Sequence, residues 1–538
     1  MKLASTLRMH KPNSIVQFIY VVIIGIFFVI NGAHLYKGGI LFNEDIARDF
    51  IILDELISTK SLTLIGPKTG IIPGLFHGPL WYYVNVPIFY LSSGDPHVVG
   101  MYWYCLYAAG VLLFGYLCKK IAGDETALVA MMLLLGVSVF MPARMWQESL
   151  SFLLSFLFFY LLYEYACKVK TKYLLWAWLV LGLIIQSQMA FGLPILIASY
   201  LYVGKLVSTN KQWKHLATIA ALLIPMSTFI LFEFRHDFLQ SRSVVRYISD
   251  WHNSSNLSSP GRHLGDRGFS IIDSFKPIKV QYYAKLFGLS APDRVRALEF
   301  VGGILGIVAF IHLHGKRRGF EKNIRHAWNL SLWLITSYWI ITYPFPQSLP
   351  WYYFESLTPI ICFWWAYLFV RQRNIVIVVA VLLSICFNLL ATGLYARIVL
   401  GLPTSFKGDW QTHWDYYHTK ARFVTRASNN QDFGYFTWAE TFYAYQIKYA
   451  MLFVQRRSAQ QMHSFAKQPL TYMIVEPEDK NREWGDPYTW LRKQIGITRT
   501  PDKSFAFEDG YQIWQYELSP EEVRAPADPN LDARAHFR

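Results

Sequence analysis

Long apolar runs, each bounded by charged residues, recur along most of the chain. A helix that crosses a hydrocarbon core of about 30 Å needs about 20 mostly apolar residues. Runs close to that length lie at residues 14–33, 98–118, 124–141, 149–167, 173–187, 189–207, 215–233, 298–314, 326–343, 354–370 and 374–396. The pattern predicts a mainly α-helical, polytopic membrane protein with about eleven transmembrane helices.

The composition agrees with this interpretation. Of the 538 residues, 53% are hydrophobic and only 16% are charged, whereas a soluble domain carries about 25% charged residues. Most of the chain is therefore not built to face water. A soluble enzyme, a disulfide-stapled secreted module and a disordered scaffold are excluded.

Lysine and arginine residues lie mostly on one side of the predicted spans. If the N-terminus is cytoplasmic, the segments on its side carry eighteen of them, whereas the short loops on the other side carry only Arg144. Short cytoplasmic loops are the ones enriched in Lys and Arg, so this asymmetry predicts a cytoplasmic N-terminus. It also explains much of the net charge of +15 without a nucleic-acid partner.

Three segments should then lie on the outer face, because eleven spans place the C-terminal tail opposite the N-terminus. They are a first outer loop at 34–97, a second long loop at 234–297 and the tail at 397–538. The tail contains strand-like runs at 471–475 and 505–518 around a helix-like stretch at 486–495. We therefore predict a transmembrane domain at 1–396 and a small extracytoplasmic α/β domain at 397–538.

The first outer loop opens with a charged stretch directly after a span. On a helix, Asp45, Arg48 and Asp49 share one face, while Ile46 and Phe50 would let the helix lie along the membrane surface. Charges at a membrane surface either remain in water or form a site. A solvated amphipathic helix with a local ion pair is the plainer alternative, and spacing alone leaves it open.

The same loop continues with a cation, a histidine and an aromatic cluster. Lys68 is followed by His77, Trp81 and Tyr82. Aromatic rings stack on sugar faces, but they also populate the headgroup region of any membrane protein. Lys68 and His77 are therefore more informative than the rings.

Further outer segments add charged and aromatic candidates. Glu148 lies in a very short outer loop, where it is either a second acid of a site or the polar start of a helix. Arg235 and His236 follow the seventh predicted span, where an arginine either binds an anion or extends to lipid headgroups. Tyr352 and Tyr353 belong to an aromatic rim before the tenth span.

Motifs for several other chemistries are missing from the sequence. It contains no GxGxxG motif after a strand, no Walker loop, no HExxH, no CxxC and no GxSxG. Nucleotide-binding, zinc-protease, thiol redox and serine hydrolase functions therefore lack support.

Four of these stretches, in this order, resemble a known family. They are Asp45-Ile46-Ala47-Arg48-Asp49, the His77-Gly78-Pro79-Leu80-Trp81-Tyr82-Tyr83 run, the Glu233-Phe234-Arg235-His236 stretch and Trp351-Tyr352-Tyr353. Over roughly residues 10–400 the chain is similar to the bacterial GT-C glycosyltransferases related to protein O-mannosyltransferases and lipid A aminoarabinose transferases. The tail matches this family only loosely.

The resemblance implies an inverting transfer of a sugar from a polyprenyl-phosphate donor to an acceptor hydroxyl at the outer membrane face. Asp45 matches the family's proposed general base, and Arg48 matches the neighbour that holds the donor phosphate. Arg235 and Lys68 fall where relatives place phosphate-binding cations. For Lys68 only the region of the chain matches. Gln147 and Glu148 stand where relatives often carry a second acid or an asparagine.

The sequence thus predicts three groups of site residues. They are catalytic Asp45, Glu148 and Asp49; donor phosphate-binding Arg48, Lys68, Arg235 and His236; and substrate-binding Glu44, His77, Trp81, Tyr82, Tyr352 and Tyr353. Metal use varies across the family, so a divalent metal stays open and no ligand for it is predicted.

The predicted partners are a polyprenyl-phosphate-linked sugar, membrane lipids and a glycolipid, polysaccharide or protein acceptor. The resemblance to bacterial enzymes implies an inner-membrane protein of the cell envelope, with a cytoplasmic N-terminus and a periplasmic tail. A glycan ligase that uses a polyprenyl-pyrophosphate donor and a polytopic transporter remain the alternatives.

Overall fold

The structure is a computed structural model of the chain. It describes residues 14–37, 39–70, 72–138, 141–250, 260–276, 292–345, 349–372, 375–401, 413–439, 444–477, 486–528 and 531.

Every predicted apolar run coincides with a helical segment, at least over its described residues. Helices up to residue 250 are α1 (Ser14–Tyr36), α2 (Glu44–Thr59), α3 (Leu80–Leu91), α4 (Pro96–Ala122), α5 (Asp124–Val137), α6 (Glu148–Lys168), α7 (Thr171–Ser187), α8 (Met189–Asn210), α9 (Leu223–Arg235) and α10 (Leu239–Asp250). They continue with α11 (Pro260–Ser274), α12 (Pro292–Lys316), α13 (Lys322–Thr342), α14 (Trp351–Phe354), α15 (Thr358–Gln372) and α16 (Ile375–Gly401). Short 3₁₀ segments at Trp213–Leu222 and Glu355–Leu357 precede α9 and α15.

Six of these segments are long and apolar enough to cross a membrane. Within the described residues they are Ser14–Ala33, Pro96–Ala122, Glu148–Lys168, Met189–Thr209, Trp213–Arg235 and Trp351–Arg371. Thr171–Ser187 and Ile377–Leu390 are apolar but shorter. An integral membrane protein is therefore supported, and the count of eleven crossings stays a prediction.

The predicted amphipathic helix in the first outer loop is α2. Its N-cap Asn43 accepts a hydrogen bond from the Ile46 N–H at 3.0 Å, and the helix ends where Lys60 adopts a left-handed φ of 52°. Ile46, Ala47 and Phe50 are buried on its inner face. This packing fixes which way the charged face points.

The tail forms a small domain around one mixed sheet. Its elements are α17 (Trp414–Ala427), β1 (Phe433–Trp438), α18 (Tyr445–Gln455), β2 (Met462–Ser464), β3 (Leu470–Val475), α19 (Pro487–Trp490), β4 (Lys503–Ala506), β5 (Gln512–Glu517) and α20 (Pro520–Arg524). The strand order is β2-β1-β3-β5-β4, parallel among the first three strands and antiparallel beyond them. The predicted run 505–518 contains the end of β4, a turn and β5, whereas β1 and β2 were not predicted.

This domain shares a hydrophobic core with the first outer loop. The ring of Phe42 packs against that of Trp414 at 4.9 Å, and Phe50 packs edge-on against Tyr449 at 5.2 Å. An ion pair between Asp54 and Arg456 joins the same two parts. The domain therefore supports α2, whose opposite face carries the charged residues.

Candidate active site

The α2 helix carries three charged side chains that contact one another. The Arg48 guanidinium donates from Nη1 to Asp45 Oδ1 at 2.8 Å, and from Nε and Nη2 to Asp49 Oδ1 at 3.1 and 3.0 Å. The side chain of Asp45 is 55% exposed, whereas that of Asp49 is 7% exposed. The two carboxylates thus share one arginine but differ in their access to a ligand.

Asp49 also accepts hydrogen bonds from two aromatic residues at the start of α3. Trp81 Nε1 donates to Asp49 Oδ2 at 2.7 Å, and the Tyr82 hydroxyl donates to Asp49 Oδ1 at 3.4 Å. Burial raises the pKa of Asp49 to about 6, although the Arg48 guanidinium opposes the rise. This carboxylate orients Arg48 and has little surface left for a ligand.

The segment from Gly66 to Gly78 folds back on itself and presents Lys68 and His77. His77 N donates to Pro67 O at 2.8 Å, and Gly66 N donates to His77 O at 2.7 Å. Lys68 is exposed and has no carboxylate partner among the described residues. It is therefore available to an anionic ligand.

His77 is a buried histidine next to a cation. Its residue is 7% exposed, and its Nδ1 atom has no hydrogen-bond partner in the described part of the chain. Burial lowers the pKa of His77 to about 4, and the Arg48 charge contributes to the shift. The imidazole is therefore neutral at neutral pH and offers a ring nitrogen for hydrogen bonding.

The hairpin between α7 and α8 anchors this segment. Gly78 N donates to the backbone oxygen of Gln186 at 2.8 Å, and Leu80 N donates to Gln186 Oε1 at 3.2 Å. A Cβ atom at Gly78 would lie only 2.3 Å from Gln186 Oε1. Glycine at this position lets the loop approach Gln186 and sets the place of His77.

A buried ion pair joins the short loop before α6 to the segment before α15. Arg144 Nη2 donates to Glu355 Oε2 at 3.1 Å, and both side chains are less than 10% exposed. The Arg144 guanidinium lies 4.8 Å from the Trp146 ring centroid and 4.4 Å from that of Trp351. This contact joins the loop that leads to Glu148 with the segment that carries Tyr352 and Tyr353.

These segments enclose a cavity of about 350 Å³. Its lining residues are Asp45, Arg48, Asp49, Lys68, Thr69, Gly70, His77, Trp146, Gln147, Glu148, Tyr352 and Tyr353. The cavity offers an accessible carboxylate, two cations, a neutral imidazole and a second carboxylate. Such a set can hold an anion beside a group that accepts a proton.

Eight of the thirteen predicted site residues line this cavity. They are Asp45, Arg48, Asp49, Lys68, His77, Glu148, Tyr352 and Tyr353. Trp81 and Tyr82 do not line the cavity but donate hydrogen bonds to Asp49. They therefore support a lining residue, whereas we had expected them to contact the substrate. Glu44, the first residue of α2, does not line the cavity either.

Arg235 and His236 also lie outside the cavity lining, contrary to the expectation of a shared phosphate site. Arg235 is the last residue of α9, and its side chain is exposed. The His236 ring stacks on Phe232 at 4.1 Å, and its Nδ1 lies 3.0 Å from Phe232 O. Phe232 is buried, whereas Arg235, about one turn further along at the end of α9, is exposed.

Sequence reasoning did not single out Thr69, Gly70 and Trp146 of the lining or the partner of Arg144. Thr69 and Gly70 directly follow Lys68, so their position next to a predicted site residue could have identified them. The contact between Arg144 and Glu355 spans 211 positions, and nothing local in the sequence encodes it.

No group of three or more His, Cys, Asp or Glu residues suited to a metal ion occurs among the described residues. Of the carboxylates in the cavity lining, Asp45 is exposed, Glu148 is half-buried and Asp49 is buried. No metal ligand is therefore proposed.

Comparison with solved structures gives the fold. ArnT from Cupriavidus metallidurans, in a crystal structure bound to undecaprenyl phosphate, matches with a TM-score of 0.52 over 95% of this chain and 99% of that one. The apo crystal structure of the same protein matches with a TM-score of 0.51 over 94% and 98%. The chain has the ArnT fold.

The likeness to ArnT extends over the helical part and the C-terminal domain together, since nearly all of both chains is covered. The sequence identity is 10% in each match. No family model and no curated protein sequence matches the chain. At this identity the match shows a common fold and does not assign roles to individual residues.

Proposed function

We propose that this protein is an integral membrane glycosyltransferase that moves a sugar from a polyprenyl-phosphate donor to an acceptor hydroxyl with inversion. One observation carries the proposal. In a chain with the ArnT fold, Asp45, Arg48 and Lys68 line the same cavity. ArnT itself has been crystallised with undecaprenyl phosphate.

The donor phosphate binds to Lys68 and Arg48. Lys68 has no carboxylate partner among the described residues, and Arg48 is fixed in orientation by Asp49. As the sugar leaves, negative charge develops on the phosphate, and cations fixed in advance stabilise that charge. Asp49 thus acts through Arg48 as a positioning residue.

Asp45 acts as the general base. It is the more exposed of the two carboxylates on α2 and lies on the rim of the anion site. The acceptor oxygen attacks the anomeric carbon, the bond from that carbon to the phosphate oxygen breaks, and the hydroxyl proton passes to Asp45. The products are the glycosylated acceptor and polyprenyl phosphate.

The remaining lining residues position the sugar. Neutral His77 accepts or donates a hydrogen bond to a sugar hydroxyl, while Tyr352 and Tyr353 provide aromatic surface on the other side. Glu148 lies in the same lining and contacts a second hydroxyl or the acceptor. The acceptor is a glycolipid, a polysaccharide or a protein.

The cavity opens at the outer membrane surface under this proposal. The lysine and arginine asymmetry of the short loops supports a cytoplasmic N-terminus and a periplasmic C-terminal domain in a bacterial inner membrane. A reporter fused after Gly401 should read periplasmic. A cytoplasmic reading would contradict this orientation.

The purified protein should transfer labelled sugar from a polyprenyl-phosphate donor to an envelope lipid or polysaccharide extract. NMR of the product should show the anomer opposite to that of the donor. Transfer only from a polyprenyl-pyrophosphate donor would favour a glycan ligase. Donor movement between membrane leaflets without a product would favour a transporter.

A further inference from the structure

A second cleft separates the beginning of α4 from the C-terminal domain. Its volume is about 630 Å³, and none of its lining residues belongs to the cavity described above. The charged and imidazole side chains of its lining are Asp95, His97, Asp415, His418, Arg422, Arg426 and Arg457.

The carboxylates of this cleft already have partners. Asp95 caps α4, since its Oδ1 accepts from the His97 N–H at 2.9 Å. Asp415 Oδ1 lies 3.2 Å from His97 Nε2. Burial alone would raise the pKa of Asp415, but the His97 hydrogen bond and nearby imidazoles lower it below its ordinary value. Both carboxylates therefore already have a partner at the start of α4.

The arginines form a cationic stripe. Arg422 and Arg426 stand four residues apart on α17, are exposed and pair with no carboxylate among the described residues. Like charges at this spacing destabilise a helix by a few tenths of a kcal/mol. Arg457 faces the same cleft and donates to Ser93 O at 3.3 Å and Phe453 O at 3.2 Å. An anion between these guanidinium groups would remove their repulsion.

The position of the cleft indicates the source of that anion. Pro96, beside the lining residues Asp95 and His97, begins a candidate membrane span. The cleft therefore lies at the end of a transmembrane helix, where phosphate groups of lipids are concentrated. Arginine binds phosphate through two parallel hydrogen bonds, and each basic residue near an anionic surface contributes about fivefold in affinity.

We propose that this cleft binds the phosphate of an anionic phospholipid headgroup and thereby holds the C-terminal domain against the membrane. The proposal does not depend on the glycosyltransferase assignment, because it concerns binding alone. It also gives the domain a contact with lipid in addition to its packing on α2.

Native mass spectrometry of the full-length protein from nanodiscs tests the proposal. The discs contain phosphatidylcholine with or without phosphatidylglycerol, and the number of retained phosphatidylglycerol molecules is counted. The double variant Arg422→Gln/Arg426→Gln should bind about 25-fold more weakly than the wild type at one site. Arg422→Lys/Arg426→Lys, which keeps the charge, should retain most of the binding.

The matched control is Arg492→Gln/Lys493→Gln, which removes two exposed charges from the same domain outside the cleft. It should retain phosphatidylglycerol like the wild type. Equal retention by the cleft variant and the wild type would overturn the proposal, as would equal losses in cleft and control variants. Stabilisation of lipid-depleted protein by soluble glycerol phosphate, lost in the cleft variant, would assign the cleft to free phosphate compounds and overturn the lipid source.

Discussion

The α2 helix and the last turn of α9 both carry an arginine close to acidic residues, but these charges make different contacts. On α2, Arg48 pairs with Asp45 and Asp49, and all three line a cavity. In the last turn of α9, Glu233 accepts hydrogen bonds from the Gln240 and Ser241 N–H groups and caps α10, while Arg235 is exposed. The charged residues of α2 thus line a cavity, whereas Glu233 satisfies backbone N–H groups of the next helix and lies outside that lining.

The largest effect should follow Asp45→Asn. This change keeps the size of the side chain but removes the proton acceptor, and general-base catalysis contributes about 10²–10⁴-fold. Transfer should fall by that factor while polyprenyl-phosphate binding persists, as measured by turnover and lipid retention at matched expression.

Asp49→Asn provides the comparison for Asp45→Asn. Because Asp49 orients Arg48 and is buried, its loss should weaken donor binding and reduce transfer less than Asp45→Asn does. The opposite ranking would assign the proton acceptor to Asp49. Near-normal transfer by Asp45→Asn would shift the assignment to Asp49, Glu148 or Glu44.

Removal of the Lys68 charge should have the next largest effect. A hydrogen bond to a charged group contributes about 1.5–3 kcal/mol, so Lys68→Gln should weaken donor binding by about 10–100-fold. The Michaelis constant for the donor should rise accordingly. The control is Lys493→Gln, which removes an exposed lysine from the C-terminal domain and should leave the Michaelis constant for the donor unchanged. Unchanged donor binding by Lys68→Gln would contradict the anion site.

Much of the site could be anticipated from local sequence, and the exceptions share a cause. Asp45, Arg48 and Asp49 lie within one helical turn, so their contacts follow from helix geometry. The contact of Asp49 with Trp81 spans 32 positions, and the pairing of Arg144 with Glu355 spans 211. Such contacts depend on how helices pack, which the spacing of residues does not encode.

The fold likewise has features that local sequence predicts and features that it does not. Hydrophobic length predicted helical segments at every apolar run, but α5 has 14 residues and α7 has 17, fewer than a perpendicular crossing needs. In the tail, β3 was predicted from its apolar run. The edge strand β2 has three residues, too few to give a periodic signal.

His77 should make stability depend on pH. Its pKa is about 4 in the folded protein and 6.5 ordinarily, so between these values the unfolded chain binds more protons. The free energy of unfolding should therefore decrease as the pH falls from 6.5 to 4, by at most about 3 kcal/mol from this residue. Thermal unfolding in detergent at several pH values measures the dependence.

His77→Gln should lose this part of the dependence, and comparison with the wild type removes the contributions of other titrating groups. Identical pH dependence in His77→Gln and the wild type would show that His77 is not buried as described.

The smallest effect is expected for Arg235→Gln, where the family resemblance and the geometry differ. The resemblance implies a phosphate-binding cation, and loss of such a cation would weaken donor binding by about 10–100-fold. The structure instead shows an exposed side chain at the end of α9 that does not line the cavity. We therefore expect less than about a twofold change in the Michaelis constant for the donor, within the scatter for surface substitutions.

A loss of donor binding as large as that of Lys68→Gln would mean that α9 moves towards α2 when the donor binds. A phosphate bound by both Arg48 and Arg235 requires the two guanidinium groups to contact common oxygens. Measuring Lys68→Gln, Arg235→Gln and the double variant would then separate the two cases, because cations that bind one phosphate give non-additive losses.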